Sequence, residues 1–306
     1  MATAVTLEPP FSLHLSEPLG RDNDAEKEPK QHNVLTFINY YKDPGDGSPP
    51  MPIRISDKTV RNERPMIAQQ LVVKDITGEE SKYTLDEHGF QHCCRESKLH
   101  GSDFLNKEMV EAEYYTECVQ LLKDVTGAPR VFIFDHKTRY GPSNWHKLGE
   151  NNRVARGPLL RAHVDQSYDG ASIVLRKHFP DEADELLGRR YQIINIWRPI
   201  KTIFKDPLAV ADATSVPDAD LVAASILYPS GARDETWTIR PSPTAMHRWY
   251  FKYAQTPAEV LLIKCFDSRP TAVARRAPHS AFEDPAEMER EPRESIETRA
   301  LVFYDE

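Results

Sequence analysis

Long apolar runs are missing from this sequence. None approaches the roughly 18 residues that a spanning helix needs, and mean hydropathy is -0.58. That predicts a chain with no membrane segment. The N-terminus has no basic head followed by an apolar stretch, so no secretory signal is expected. Cysteine is scarce. The four present, Cys93, Cys94, Cys118 and Cys265, form no CxxC pair, which argues against a zinc ribbon or a disulfide scaffold. Reduced thiols in a cytoplasmic protein are the expectation, with Cys265 a small core residue in an apolar run. Basic blocks are absent too. A net charge of -8 and a pI of about 5.8 exclude a basic nucleic-acid-binding surface. Among 13 glycines there is no GxGxxG or GxxxxGK phosphate loop, and no G-x-S-x-G elbow for a nucleophilic serine.

What is present is a chain of 306 residues, 40% hydrophobic, enough for a sizeable core. Residues 1–32 are polar with several prolines and acids, and read as an N-terminal arm. Residues 33–306 read as a single domain. The clearest helix is predicted over 106–126, where Val110, Tyr114, Cys118, Leu121, Leu122 and Val125 recur at spacings of three and four and Gly127 follows as a stop. Shorter helices are predicted at 170–178, 180–188 and 218–226. Strands are predicted at 34–41 and 130–135, and a hairpin over 70–76 and 81–85 around TGEE. Residues 86–97 read as loop. The second half reads as strands at 191–197, 235–240, 247–253, 259–266, 272–282 and 295–304. This is a mainly β chain with flanking α-helices, a sandwich or barrel.

The chemistry-bearing motif is His163-Val164-Asp165 in RAHVDQSYDG. Alternate side chains of an extended segment share a face, so H-x-D presents an imidazole and a carboxylate side by side. A second histidine from a distant segment would complete a 2-His-1-carboxylate facial triad, which suits non-haem Fe(II) with open positions. His279 is the chosen partner; His247, in AMHRWYF, is the rival. What favours His279 is Arg293, 14 residues later, and Ser295, which opens the last strand in PRESIETRALVF. That order matches the plan of 2-oxoglutarate oxygenases. A guanidinium fork fits the distal carboxylate of a keto acid, and Ser295 points to the same strand face. Arg299, in phase with Arg293, and Arg290 are alternative clamps; Arg299 reads as too far along the strand.

The stretches HVDQSYDGA, NIWRPI, DPLAVAD, EVLLIKCFDS, ARRAPHSAFEDP and PRESIETRALVF resemble a fungal hydroxylase/desaturase family. It includes gibberellin-type desaturases, relatives of a cephem methoxylase component and aziridine-forming oxygenases acting on amino acids. The resemblance covers roughly residues 34–304, and its motif falls on His163, Asp165, His279 and Arg293. It implies a double-stranded β-helix core (jelly-roll or cupin-like), Fe(II), 2-oxoglutarate and O2. It also implies oxidative tailoring of a small metabolite, an amino acid or other carboxylate among the candidates, by hydroxylation, desaturation or ring formation in secondary metabolism.

For the substrate pocket, Asn195 and Trp197 share one strand face and Arg198 takes the other. Arg198 is the first choice for a substrate carboxylate. His136, Arg139 and Tyr140, after the RVFIFD strand, are candidates for the cavity mouth. Two other readings stand beside this one: a metal enzyme on the same barrel that does not use 2-oxoglutarate, and a small-molecule-binding barrel without turnover. Only the first reading needs Arg293.

Overall fold

A computed structural model describes residues 31–305 apart from 151, 154, 155 and 245. The N-terminal arm expected over 1–32 lies, as far as residue 30, outside the described residues. His32 is anchored: its backbone N–H donates to Asp75, its Nε2 lies 2.7 Å from Asp284, and its ring stacks on Tyr253.

In chain order the strands are β1 Val34–Tyr41, β2 Ile53–Ile55, β3 Val60–Arg61, β4 Met66–Asp75, β5 Phe90–Cys94, β6 Arg130–Arg139 and β7 His163–Val164. There follow β8 Tyr191–Pro199, β9 Leu208–Ala211, β10 Leu221–Leu227, β11 Arg233–Ile239, β12 Trp249–Phe251, β13 Glu259–Asp267, β14 His279–Ala281 and β15 Ser295–Phe303. They form a large sheet in the order β1-β4-β12-β9-β14-β7-β11-β10-β2-β3 and a small one in the order β5-β13-β8-β15-β6. Pairing is antiparallel except β12 with β4 and β10 with β2.

Alternation decides what each face of the small sheet meets. On β8, Ile193 joins a core cluster that also contains Val164, Ala209, Trp249 and Phe251 of the large sheet. Asn195, two residues on, faces the same way. Ile194 and Ile196 face outward and pack with Val110, Tyr114, Cys118, Leu121 and Leu122 of the long helix. That helix runs as α1 Lys107–Met109, a π-helical segment Val110–Tyr114 and α2 Tyr115–Thr126, and Gly127 closes it at φ 68°. The jelly-roll layering and the helix follow the sequence reading. All four cysteines are free thiols, Cys118 and Cys265 buried; burial holds the Cys265 thiol well above its usual pKa.

Four local expectations are overturned. Residues 81–85 do not complete a hairpin: β4 pairs with β1 and β12, so the chain leaves the sheet through a 3-10 turn, Glu80–Lys82. The supposed loop 86–97 contains β5, which adds to the edge of β13. Of the helix predicted at 218–226, Asp218–Asp220 is a 3-10 turn and the rest is strand β10, in antiparallel register with β11 from Leu221 to Leu227; tertiary pairing overrides weak propensity in such an alanine-containing run. Of 272–282, only His279–Ala281 is strand.

The segment after β7 shows how the sequence sets its path. Ser167 caps α3 Tyr168–His178, its Oγ accepting from Gly170 N at 2.8 Å and donating to Glu235 Oε1 at 2.7 Å. α3 is thereby pressed onto β11, and a Cβ at Gly170 would lie 2.0 Å from the Glu235 carbonyl oxygen. A shorter helix, α4 Ala183–Leu187, follows.

Gly170→Ala should therefore cost about 3 kcal/mol through overpacking, whereas Gly127→Ala, which meets open space, should cost about 1 kcal/mol for its left-handed backbone. Urea unfolding of the two variants checks the contrast; equal losses would contradict it. A second test uses His92, whose ring nitrogens are buried without a partner. Burial and then the Lys252 charge push its pKa from 6.5 to about 4. The unfolded chain then takes up the proton first, so stability should fall as pH drops from about 6.5 and level off below about 4. His92→Gln should flatten that part of a Tm-against-pH curve.

Candidate metal centre

β7 and β14 lie side by side in the large sheet, and their pairing sets His279 opposite His163. The two rings are 4.4 Å apart between centroids. Asp165, two residues beyond His163, shares its face, with Oδ1 3.5 Å from His163 Nε2. One ligand atom from each of His163, Asp165 and His279 falls within 4.8 Å of the other two. Two ligands each about 2.1 Å from one ion, at right angles, lie about 3 Å apart, so this spacing suits a single ion.

Hydrogen bonds set the imidazole tautomers. His163 Nδ1 donates to the Arg161 carbonyl at 2.8 Å, and His279 Nδ1 to the Ala277 carbonyl at 3.3 Å. A carbonyl only accepts, so each Nδ1 carries the proton and each Nε2 presents a lone pair. His279 Nε2 is buried and has no partner. Burial, then the His163 charge, lower the His279 pKa to about 4, which keeps the ring neutral, as a ligand must be. Burial would raise Asp165, but Arg299 and the two histidines outweigh it and hold the carboxyl well below its ordinary range.

The carboxylate is fixed from the opposite sheet. Its Oδ2 accepts from Asn195 Nδ2 at 2.7 Å and lies 3.0 Å from Arg299 Nη2. Arg299 also bonds Glu297 at 2.7 Å and lies 3.8 Å from Asp135. With Oδ2 occupied by two donors, Oδ1 is the oxygen left on the histidine side. The residues present thus fit a divalent ion with an N2O donor set, a neutral lone-pair nitrogen and a pre-oriented carboxylate.

Arg293 is buried. Its Nη1 donates to the Asp206 carbonyl at 2.8 Å, and its guanidinium lies 5.5 Å from the Trp197 ring centre. Its Nε and the Oγ of Ser295 are buried without partners. Burial, then the neighbouring Arg139, lower the Arg293 pKa to about 9.

The other expected site residues scatter. Asn195, expected to touch substrate, is occupied with Asp165. Trp197 is core beside Arg293. Arg198 faces the long helix, where Tyr114 Oη and the Arg95 and Pro257 carbonyls take its donors; the strand alternation that turns Asn195 inward turns Arg198 away. His136 sits on that same outer face, bonded to Tyr115 Oη. Tyr140 is largely exposed at the end of β6. Of the rivals, His247 is held by Asp220 and Tyr40, Arg290 by Glu287 near the surface, and Arg299 is spent on Asp165 and Glu297. Asn195 and Arg299 as holders of Asp165 were missed. Their matched register, Arg299 opposite Asn195, was available only from the sheet. Two surface cavities of about 450 and 350 Å3 contain none of the triad, whose histidine and carboxylate side chains are only 13% and 11% exposed at His163 and Asp165.

Residues 38–303 match the family described as "Oxidoreductase/YMDC permease-like domain"; among the described residues no helix is long and apolar enough to cross a membrane. The hydroxylase/desaturase efuI of Hormonema carpetanum is 35% identical, the alignment covering 89% of this chain and 96% of that one. The alpha-ketoglutarate-dependent dioxygenase tstK of Talaromyces stipitatus is 30% identical over 88% and 96%. The Gibberellin cluster GA4 desaturase of Gibberella fujikuroi is 27% identical over 93% and 99%. In fold, the chain is similar to the iron and alpha-ketoglutarate-dependent endoperoxidase NvfI, with a TM-score of 0.74, 24% identity and coverage of 90% and 98%.

Asn195→Ala and Arg299→Gln should each weaken divalent-metal binding about 10- to 100-fold, read by competition titration with Co(II), without unfolding the chain. Unchanged affinity in both would remove the positioning role given to them.

Proposed function

The chain belongs to the fungal hydroxylase/desaturase and alpha-ketoglutarate-dependent dioxygenase family, and from that premise we propose a mononuclear non-haem iron(II) oxygenase whose metal is held by His163, Asp165 and His279 and whose 2-oxoglutarate is clamped by Arg293 and Ser295. The family implies Fe(II), 2-oxoglutarate and O2, and oxidative tailoring of a small molecule in secondary metabolism. The observation that carries the residue assignment is a pairing of orphans. A convergent triad with a partnerless His279 Nε2 lies in the same fold as the Arg293 Nε and the Ser295 Oγ, both buried and also without partners. A buried polar group without a partner costs about 1–3 kcal/mol; a divalent ion would satisfy the imidazole lone pair, and the distal carboxylate of a keto acid chelating that ion would satisfy the Arg293 and Ser295 donors.

Each residue then has a task. His163 and His279 offer neutral Nε2 atoms, and Asp165 offers Oδ1, with Asn195 and Arg299 fixing its other oxygen. Arg293 and Ser295 donate to the distal carboxylate, with the Trp197 ring under the guanidinium to hold its plane. Fe(II), held there with the keto acid and O2, would supply the oxidising power for chemistry at a substrate C–H bond. Seating the substrate C–H in register is work for the protein. The proposal includes residues 33–306 as one oxygenase domain. It also includes a cytoplasmic setting without a nucleic-acid partner, in keeping with the net charge of -8.

Arg293→Gln should raise the Kd for 2-oxoglutarate about 10- to 100-fold while leaving metal affinity intact. The weak visible charge-transfer band of the anaerobic Fe(II) chelate reads both. No loss would favour a metal enzyme that does not use the keto acid. Aerobic turnover with a panel of amino acids and small metabolites should give substrate-dependent succinate by mass spectrometry.

A further inference from the structure

The charges around the triad do not balance, and the surplus lies in one place. Arg299 answers Asp165 and Glu297, and Lys137 answers Asp135 at 2.6 Å. Counting Arg293, those three cations match those three carboxylates. A divalent ion with a dicarboxylate dianion adds no net charge. Arg139 and Arg156 remain. Asp206, whose carboxylate accepts from Ser143, is a further acid near Arg293 and offsets only one of them.

Both arginines belong to the neighbourhood of the site. Arg139 is the register partner of Ser295 on β6, so it shares the inner face with Ser295, Glu297 and Arg299. The Arg156 carbonyl accepts from the N–H groups of Tyr140 and Gly141 at 3.1 and 2.9 Å, which brings Arg156 beside the end of β6. Arg139 Nη1 donates to the Gly157 carbonyl at 3.0 Å, and Arg156 Nε is buried without a partner. Among the described residues neither side chain makes a direct ion pair; Glu297 and Asp165 attract Arg139, and Asp135 attracts Arg156, only at longer range. Burial and then the charges of Arg139 and Arg299 lower the Arg156 pKa to about 10. Both arginines are half-buried, a setting in which a cation without a direct counter-ion is disfavoured, and Arg198, the sequence's candidate for a substrate carboxylate, faces the other way.

We propose that Arg139 and Arg156 form a second carboxylate-binding site beside the metal ligands, separate from Arg293 and Ser295. This rests on the oxygenase reading. The carboxylate has two sources, the substrate or the metal-side end of the keto acid.

The test uses full-length protein loaded with Mn(II). Calorimetry first gives the Kd of 2-oxoglutarate, then, with that site saturated, the affinity of phenylacetate against its neutral amide. If the substrate supplies the carboxylate, the wild type prefers phenylacetate about tenfold. Arg139→Gln and Arg156→Gln then abolish the preference and leave the 2-oxoglutarate Kd within about twofold, and Arg139→Lys and Arg156→Lys restore part of the preference. If the keto acid supplies it, both Gln variants weaken 2-oxoglutarate about tenfold and the wild type shows no preference for phenylacetate. Unchanged binding of both probes in folded Gln variants overturns the proposal. Arg293→Gln is run in parallel. If it leaves 2-oxoglutarate binding intact, the oxygenase reading fails on its own account.

Discussion

Asp165 is where the two sheets meet through charge rather than through apolar packing. The residue belongs to the large sheet, on the chain just after β7, yet its carboxylate oxygen is fixed by Asn195 and Arg299 of the small sheet. An ionised carboxylate in a buried position is unfavourable unless it is paired and hydrogen-bonded, so the sheets must approach at this register. The histidines depend on the same arrangement. β7 and β14 are two and three residues long, too short to fix a site by themselves, and they are held by β9 and β11 on either side.

Much of this was legible in the chain. His163 and Asp165 could be paired because an extended segment repeats every two residues. His279 could be chosen over His247 because an arginine and a serine followed it at the opening of the last strand. The long helix announced itself by spacing and by Gly127. What failed has a common physical cause. Residues 218–226 look helical to a local reading, yet from Leu221 on they become strand because β11 lies alongside. The roles of Asn195, Arg198 and Arg299 depend on which sheet stands opposite, and period-two alternation gives the face without naming its neighbour. Arg299 was set aside for its distance from the strand start, and that distance is what brings it level with Asn195.

The division of labour between the sheets also has an energetic side. The outer face of the small sheet and the long helix share an apolar cluster, and Arg198 is fully engaged there by three oxygen acceptors. The inner face carries the charged pairs and the partnerless Ser295 Oγ. The outer side of these strands is given to packing against the helix, whereas the inner side combines the proposed site with core side chains such as Ile193 and Leu301.

β6 stands at the rim of the small sheet, with a strand neighbour on one side only. Its inner face nonetheless contributes Asp135, Lys137 and Arg139 to the surroundings of the centre while supplying none of the proposed metal ligands. On the proposal made for Arg139, exchanges of side chains along this one border strand would alter which carboxylate is welcomed without replacing any of the proposed metal ligands. Diversification of products within such a scaffold has a ready-made, detachable margin on which to act.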